Sequence, residues 1–421
     1  MKKMCLLLLC CTAFSSLLQA QVLTPEVVPQ QNPEAAQRLA RIDTLVNGYL
    51  SRHWINGVVT LVIQDGKVLQ YKGYGYANAE QKKPMQTNDL FRLASQTKAV
   101  VSTGIMLLYE QGKLYLDEPV ADFIPAFAHS MVLDQFNAAD TTFTTVPAKR
   151  PITIRDLLTH TSGIDYAMIG TEKMRAIYAK SQVSSGLTDL QKNLRESIDV
   201  LAKLPLAHQP GEKFTYGLST DVLGCVIETI SGVDLETFLT RNIFIPLGMK
   251  DTYFNVPASK AGRLTSVYTE DSLHHVVAAT RARGLDPDYP LQHKQYFSGG
   301  AGLTSTAFDY AMFLQMLLNG GKYNGHQLLA PRTVQLMTSG QLSFLYNGTD
   351  NFGLGFNITS ALSAAREARN EGSFSWGGYF GTTYWVDPKA RLVCLIMTQQ
   401  APNSHGELAR KIEQLIYQAL L

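Results

Sequence analysis

The sequence predicts an α+β fold in which an antiparallel sheet is assembled from both ends of the chain, is flanked by helices, and has a mostly helical region inserted into it. Three observations carry this. Near the start, VVTLVIQ and KVLQYKGYGYA flank Asp65-Gly66, the strongest short hairpin signal. Near the end, TTYWV and RLVCLIMTQ flank Asp387-Pro388-Lys389-Ala390, a second hairpin. Between the two the apolar spacing is mostly helical, with long loops punctuated by Gly and Pro.

Each end also supplies a helix. Over residues 34–52, Leu39, Ile42, Leu45, Val46 and Leu50 recur near helical spacing, and Leu408, Ile412, Leu415 and Ile416 mark one face of a last amphipathic helix. The polar, helix-permissive stretch 166–196 belongs to the insertion. The expected division is an α/β part from 21–93 and 295–421 and a mostly helical part from 94–294.

With 421 residues, 45% hydrophobic and 17% charged, the chain buries a large core and is neither disordered nor fibrous. Its first 20 residues, MKKMCLLLLCCTAFSSLLQA, read as a signal peptide: two lysines, an apolar run, and a small residue at Ala20 before a cut. Lipidation at Cys10 or Cys11 is disfavoured because Leu9 and Cys10 precede them rather than a small Gly, Ala or Ser. The expectation is therefore a periplasmic or secreted protein. Without Lys2 and Lys3, 35 basic residues face 35 acidic ones, so no basic stripe holds a nucleic acid. No other run is long enough to cross a bilayer, so no stable membrane insertion is expected. Cys225 and Cys394 remain; the two could pair in an oxidising compartment, but each lies inside an apolar pattern that better suits a buried free thiol.

The chemistry starts at FRLASQTKAV (91–100). If Ser95 opens a helix, Lys98 lies one turn later on the same face, its amine within reach of the hydroxyl, and the helix N-terminus favours an anion there. A serine is a poor nucleophile until a neighbour takes its proton. A free lysine, with a pKa of about 10.4, is well under 1% neutral at pH 7, so a base role needs an apolar setting. The following AVVSTGIMLLYEQG is apolar almost all round, which predicts a central, buried helix stopped near Gly112. Ser-x-x-Lys alone is a weak signal, equally an N-cap serine with a solvated lysine. Further along, HQPGEKFTYGLSTDVLG offers Tyr216 as a proton shuttle. SFSWGGYFGTTYWV offers Trp376-Gly377-Gly378 leading into a strand, where backbone approaches a substrate and an amide meets an oxyanion.

With these three motifs in order, the chain resembles the penicillin-recognising serine hydrolases, in the branch that groups class C β-lactamases, D-amino peptidases and carboxypeptidases, and β-lactamase-like esterases and acyltransferases. LLTHTSGI (157–164), FIPLGMKDTYF (244–254), GGAGLTSTAFDYAMFLQMLLNGG (299–321) and NFGLGFNI (351–358) support it. The resemblance implies a β-lactamase/transpeptidase-like fold over 21–421 with the active site between its two parts. It implies Ser95 as the acylated nucleophile, Lys98 as proton acceptor or electrostatic partner, and Tyr216 as the residue that activates serine and protonates the leaving group. The backbone amides of Ser95 and Tyr379 would form the oxyanion hole, with no metal and no cofactor.

Two departures bear on substrate. The family's Tyr-x-Asn is Tyr216-Gly217-Leu218, which loses an amide, and its Lys-Thr-Gly is Trp376-Gly377-Gly378, which loses the cation that meets a substrate carboxylate. A site lacking the partner gains little from that group. The expected partner is thus a small-molecule acyl donor, an ester or thioester, with Leu218, Trp376, Gly377 and Gly378 binding it and water or an alcohol as acceptor. The alternatives are a β-lactamase or D-amino-acid peptidase, in which Arg281 or Arg283 replaces the lost cation, and a catalytically silent binding protein.

Other residues read more plainly. His160 belongs to a structural turn, Asp221 suits a helix N-terminus, and the adjacent His274-His275 lacks ligand spacing. Tyr166, Met168, Tyr289, Tyr296, Phe297 and Phe380 are candidate pocket walls, although packing is the more ordinary role for each. No Gly-x-Ser-x-Gly elbow occurs, which argues against an α/β-hydrolase.

Overall fold

The computed structural model describes residues 22–187, 191–281 and 285–420. The predicted signal peptide and Arg283 lie outside the described residues. Helices α1 (Pro33–Leu39) and α2 (Arg41–Ser51) precede strands β1 (Gly57–Gln64), β2 (Lys67–Asn78) and β3 (Lys83–Pro84). Then come α3 (Thr97–Glu110), α4 (Ser219–Ser231) and α5 (Ala307–Leu318). Strands β4 (Asn351–Phe352), β5 (Asn357–Ile358), β6 (Phe374–Gly377), β7 (Thr383–Asp387) and β8 (Leu392–Met397) follow, and α6 (Leu408–Tyr417) closes the chain.

The eight strands form one antiparallel sheet in the order β4-β5-β6-β7-β8-β1-β2-β3. Its centre is the seam between the chain's two ends, where Val62 of β1 faces Cys394 of β8. Asp65 and Gly66 form the first turn, both with positive φ (51° and 71°), as a tight two-residue hairpin requires. Alternation sorts β1 between two cores: Val59, Leu61 and Ile63 pack into the large core with α3 and α5, while Val58 and Val62 pack with Ile42 and Val46 of α2 and Ile412 and Ile416 of α6. Because both faces are covered, β1 reads as a continuous apolar run.

The structure departs from the sequence reading in four places. The helix expected over 34–52 is divided at Ala40, where the Asp43 amide donates to the Ala40 carbonyl in a tighter turn. Strands β4, β5 and β6 have only two to four residues each, too few for alternation to show. The mostly helical region carries two hairpins, Met131–Asn137 with Thr142–Pro147, whose largely exposed strands have no apolar face to announce them, and Tyr268–Glu270 with Val276–Ala278, whose three-residue strands are too short to show one. Trp376 and Gly377 end strand β6 rather than lead into one; the next strand starts at Thr383.

Candidate active site

Ser95 sits in a single 3-10 turn, Ala94–Gln96, that feeds α3. Ala94 is left-handed, with φ 44°, a conformation that costs a non-glycine residue about 1–3 kcal/mol. The turn persists because its surroundings determine it. The Tyr310 hydroxyl of α5 donates to the Gln96 carbonyl at 2.8 Å, and the Leu303 amide donates to Thr97 Oγ1 at 3.1 Å. Every residue of α3 from Thr97 to Leu108 is buried, and each Val, Ile, Leu or Met among them contributes about 1.5–3 kcal/mol. That burial carries Lys98 inside at 2% exposure.

The Lys98 amine donates to Ser95 Oγ at 3.2 Å and to the Gly300 carbonyl at 2.8 Å. It also lies 4.6 Å from the ring centre of Tyr216 and 5.3 Å from that of Tyr166, both within cation–π range. Tyr216 is strapped to the LLTHTSGI turn: the Thr215 amide donates to the His160 carbonyl at 2.8 Å and the Leu218 amide to the Asp165 carbonyl at 3.2 Å. Trp376 Nε1 donates to the Tyr216 hydroxyl at 3.3 Å. Ser95, Lys98, Tyr216 and Trp376, 281 positions apart from first to last in the sequence, thus form one connected group.

Gly378 explains how the β6 end reaches this group. A Cβ there would lie 2.3 Å from the Leu93 carbonyl oxygen, so only glycine lets the 378–382 turn press on the backbone two residues before Ser95. Gly378 also donates its amide to the Thr382 carbonyl at 2.7 Å, which fixes the turn that carries Tyr379. Gly377 is less constrained, meeting only the Thr382 carbonyl at 3.1 Å.

Leu218 is placed differently from an open pocket wall. It stands just before α4 and packs into the core at 1% exposure, so its consequence for the site is the missing amide. Of the other aromatic candidates, Tyr289, Tyr296 and Phe380 are buried, with Tyr289, Phe380 and Met168 packed around Ala94 and Phe297 against Phe254. Tyr166 is the exception. It faces Lys98, and burial, then the Tyr216 and Asp221 charges, push its ionisation well above the usual tyrosine range, with the Ser95 hydroxyl pulling slightly the other way. Its sequence signal was only its place two residues after the Ser-Gly-Ile turn. Arg281 lies 3.8 Å from the carboxylate of Asp286, and His274 and His275 pair with Glu270 and Asp271 on a hairpin. Cys225 and Cys394 are free and buried, and burial raises the Cys225 thiol to about 12.

His160 is more than a turn residue. Its ring centre lies 4.9 Å from that of Tyr216, its φ is 55°, it is 1% exposed, and Nδ1 has no partner. Burial first, and the Lys98 charge second, hold the imidazole far below its ordinary pKa, so it stays neutral in the folded protein. The unfolded chain takes up that proton as pH falls below about 6.5, so His160 favours the fold above that pH and progressively disfavours it below. Between pH 7 and 5 the wild type is expected to lose more thermal stability than a His160→Gln variant. Equal losses in calorimetric melts would show that His160 carries none of this acid sensitivity.

The fold and this group together define a serine-centred site of the β-lactamase type. The β-lactamase family model matches residues 42–418, and the chain belongs to that family. It is 34% identical over 374 residues to an uncharacterized protein of Mycobacterium tuberculosis strain CDC 1551 / Oshkosh, covering 85% of this chain and 89% of the relative. It is 30% identical over 400 residues to esterase EstB of Burkholderia gladioli, covering 91% and 96%. Among solved structures, EstCE1, a hydrolase with promiscuous acyltransferase activity, superposes with a TM-score of 0.80 at 28% identity, over 91% of this chain and all of that one.

Proposed function

We propose that this chain is a serine hydrolase that cleaves small or lipophilic esters through an acyl-Ser95 intermediate, with an alcohol able to replace water as acceptor. The observation that carries the reading is the contact between Trp376 Nε1 and the Tyr216 hydroxyl. Where a cation would meet a substrate carboxylate, an indole is turned inward onto the tyrosine. β-Lactams and cell-wall peptides gain nothing there, and an uncharged ester loses nothing. The similarity to EstB and EstCE1 supports the same choice.

In the first half-reaction Ser95 Oγ attacks the ester carbonyl carbon and its proton passes to Tyr216 as the phenolate or to Lys98 as the free amine. The negative charge on the carbonyl oxygen is met by the Ser95 and Tyr379 amides, donors typically worth about a hundred- to a thousandfold each. The C–O bond then breaks, and Tyr216 returns the proton to the departing alcohol oxygen. Water or a second alcohol attacks the acyl-enzyme by the reverse route, losing its proton to the same group and regenerating Ser95. The signal-like pattern of residues 1–20 supports export, with the reaction in the periplasm or outside the cell.

A panel of short aryl esters, a thioester and a chromogenic cephalosporin tests this, with intact mass read after each. Ester turnover with a transient acyl adduct on Ser95 is expected, along with a much lower kcat/KM for the cephalosporin. Efficient cephalosporin hydrolysis with esters ignored would favour the β-lactamase reading. No adduct with a fluorophosphonate would favour a silent binding protein.

A further inference from the structure

The buried lysine of the site has no anion among its hydrogen-bond partners. Lys98 donates to a serine hydroxyl and a backbone carbonyl and faces two phenol rings. A buried charge left uncompensated is costly. The nearest compensation is on α4, where Asp221 is completely buried in the first turn. Its Oδ1 accepts from the Tyr296 hydroxyl at 3.0 Å and from Ser298 Oγ at 2.7 Å. Its Oδ2 has no well-formed hydrogen bond and lies against Gly300, the residue whose carbonyl holds the Lys98 amine.

Gly300 measures the gap. A Cβ built there would be 2.4 Å from Asp221 Oδ2 and 3.5 Å from Lys98 Nζ. The carboxylate and the amine are therefore at most about 6 Å apart, the range within which opposite charges favour each other's ionised form. Any side chain at 300 would wedge between them. Burial pushes the Asp221 carboxyl up, while the Ser298 hydroxyl, the Lys98 charge and the Tyr296 hydroxyl pull it back.

We propose that Asp221 is a positioning residue, the fixed counter-charge that keeps Lys98 a cation aimed at Ser95 and the Tyr216 ring. The proton of Ser95 then goes to Tyr216 acting as its phenolate, and Lys98 acts through its charge. The titratable groups that face the pair are Tyr166, Tyr216, His160 and Tyr296, with Cys225 one turn along α4. The proposal rests on the catalytic reading above, and its test is chosen to fail separately.

The first measurement needs no activity. Lys98→Met, Asp221→Asn and the double variant are melted beside the wild type, and the double variant is expected to melt above at least one single variant, because each single change strands a buried partner. Losses that simply add would overturn the pairing. If Asp221→Asn does not fold while the double variant does, the pair is supported; if neither folds while Lys98→Met does, Asp221 is structural and the proposal falls. The second measurement is kcat/KM for an aryl ester over roughly pH 5 to 10. Asp221→Asn is expected to lower kcat about ten- to a hundredfold at neutral pH with KM little changed, the size typical of losing a partner that orients a reacting group. Its alkaline limb, where the cation is lost, should move to lower pH. A neutral-pH rate that rises would mean that Lys98 works as a free base, and an unchanged profile would mean that Asp221 does not act on it; either overturns the proposal. Absence of any ester turnover in the wild type would sink the catalytic reading, while the melting cycle still decides the pair.

Discussion

Ser95→Ala is expected to abolish ester turnover, lowering kcat by about five to six orders of magnitude, which at 1.36 kcal/mol per tenfold is roughly 7–8 kcal/mol of barrier. The reason is positional as well as chemical. The serine oxygen is the atom that the site gathers around: Lys98 Nζ lies 3.2 Å away, and the Gly378 turn presses on the backbone two residues before it. Alanine removes the oxygen without disturbing that scaffold, because the turn is held from outside by Tyr310 and Leu303. The variant should therefore melt near the wild type, bind a fluorophosphonate without forming an adduct, and show only the residual rate that binding and two amides supply. Retention of more than about a hundredth of the wild-type kcat in a folded variant would remove Ser95 from the role of nucleophile.

The sequence made the sheet legible where strands are long and the turn chemistry is explicit. Asp65-Gly66 needs positive φ at both positions, and few other dipeptides supply it, so that hairpin and its partner at the C-terminal end were readable together with the helices that cover them. The short strands β4, β5 and β6 were not, since two to four residues define no period. The hairpin at 131–147 was hidden for another reason: its strands face water on most positions and carry no alternation.

At the site, residues tied to local rules were legible and residues tied to tertiary contacts were not. Ser95 and Lys98 are one helical turn apart, and Tyr216 follows a Pro-Gly turn, so spacing announced them. Trp376 was legible as a lost cation; that its indole turns onto Tyr216 was not, because 160 residues separate them. Asp221 satisfies the simplest local rule, an acid in the first turn of a helix, and nothing in its neighbours announces its complete burial near Lys98. The neighbours of His160 mark a turn residue, and its left-handed φ fits that, yet its buried ring also packs beside that of Tyr216. In each case the missing information is which side chain the fold places opposite, which no window of sequence contains.

Tyr216→Phe should lower kcat by about two to four orders of magnitude, the usual worth of a positioned acid-base group, with a much smaller change in KM. The substitution isolates one atom. Phenylalanine keeps the ring that Lys98 faces at 4.6 Å and that packs on Tyr166, His160 and Trp376, so the amine stays seated and the wall stays intact. Only the hydroxyl that accepts from Trp376 Nε1 is lost, and with it the atom proposed to relay the proton between Ser95 and the leaving oxygen. Two companions separate relay from packing. Trp376→Phe keeps an aromatic ring and removes the indole N–H, a single hydrogen bond worth about 0.5–1.5 kcal/mol, so it should cost roughly three- to tenfold. Esters with better leaving groups should recover part of the Tyr216→Phe loss, since an oxygen that departs as a stable anion needs no proton from the enzyme. A Tyr216→Phe variant that stays folded, keeps kcat within about tenfold of the wild type and responds to leaving group as the wild type does would move proton transfer to Lys98 alone.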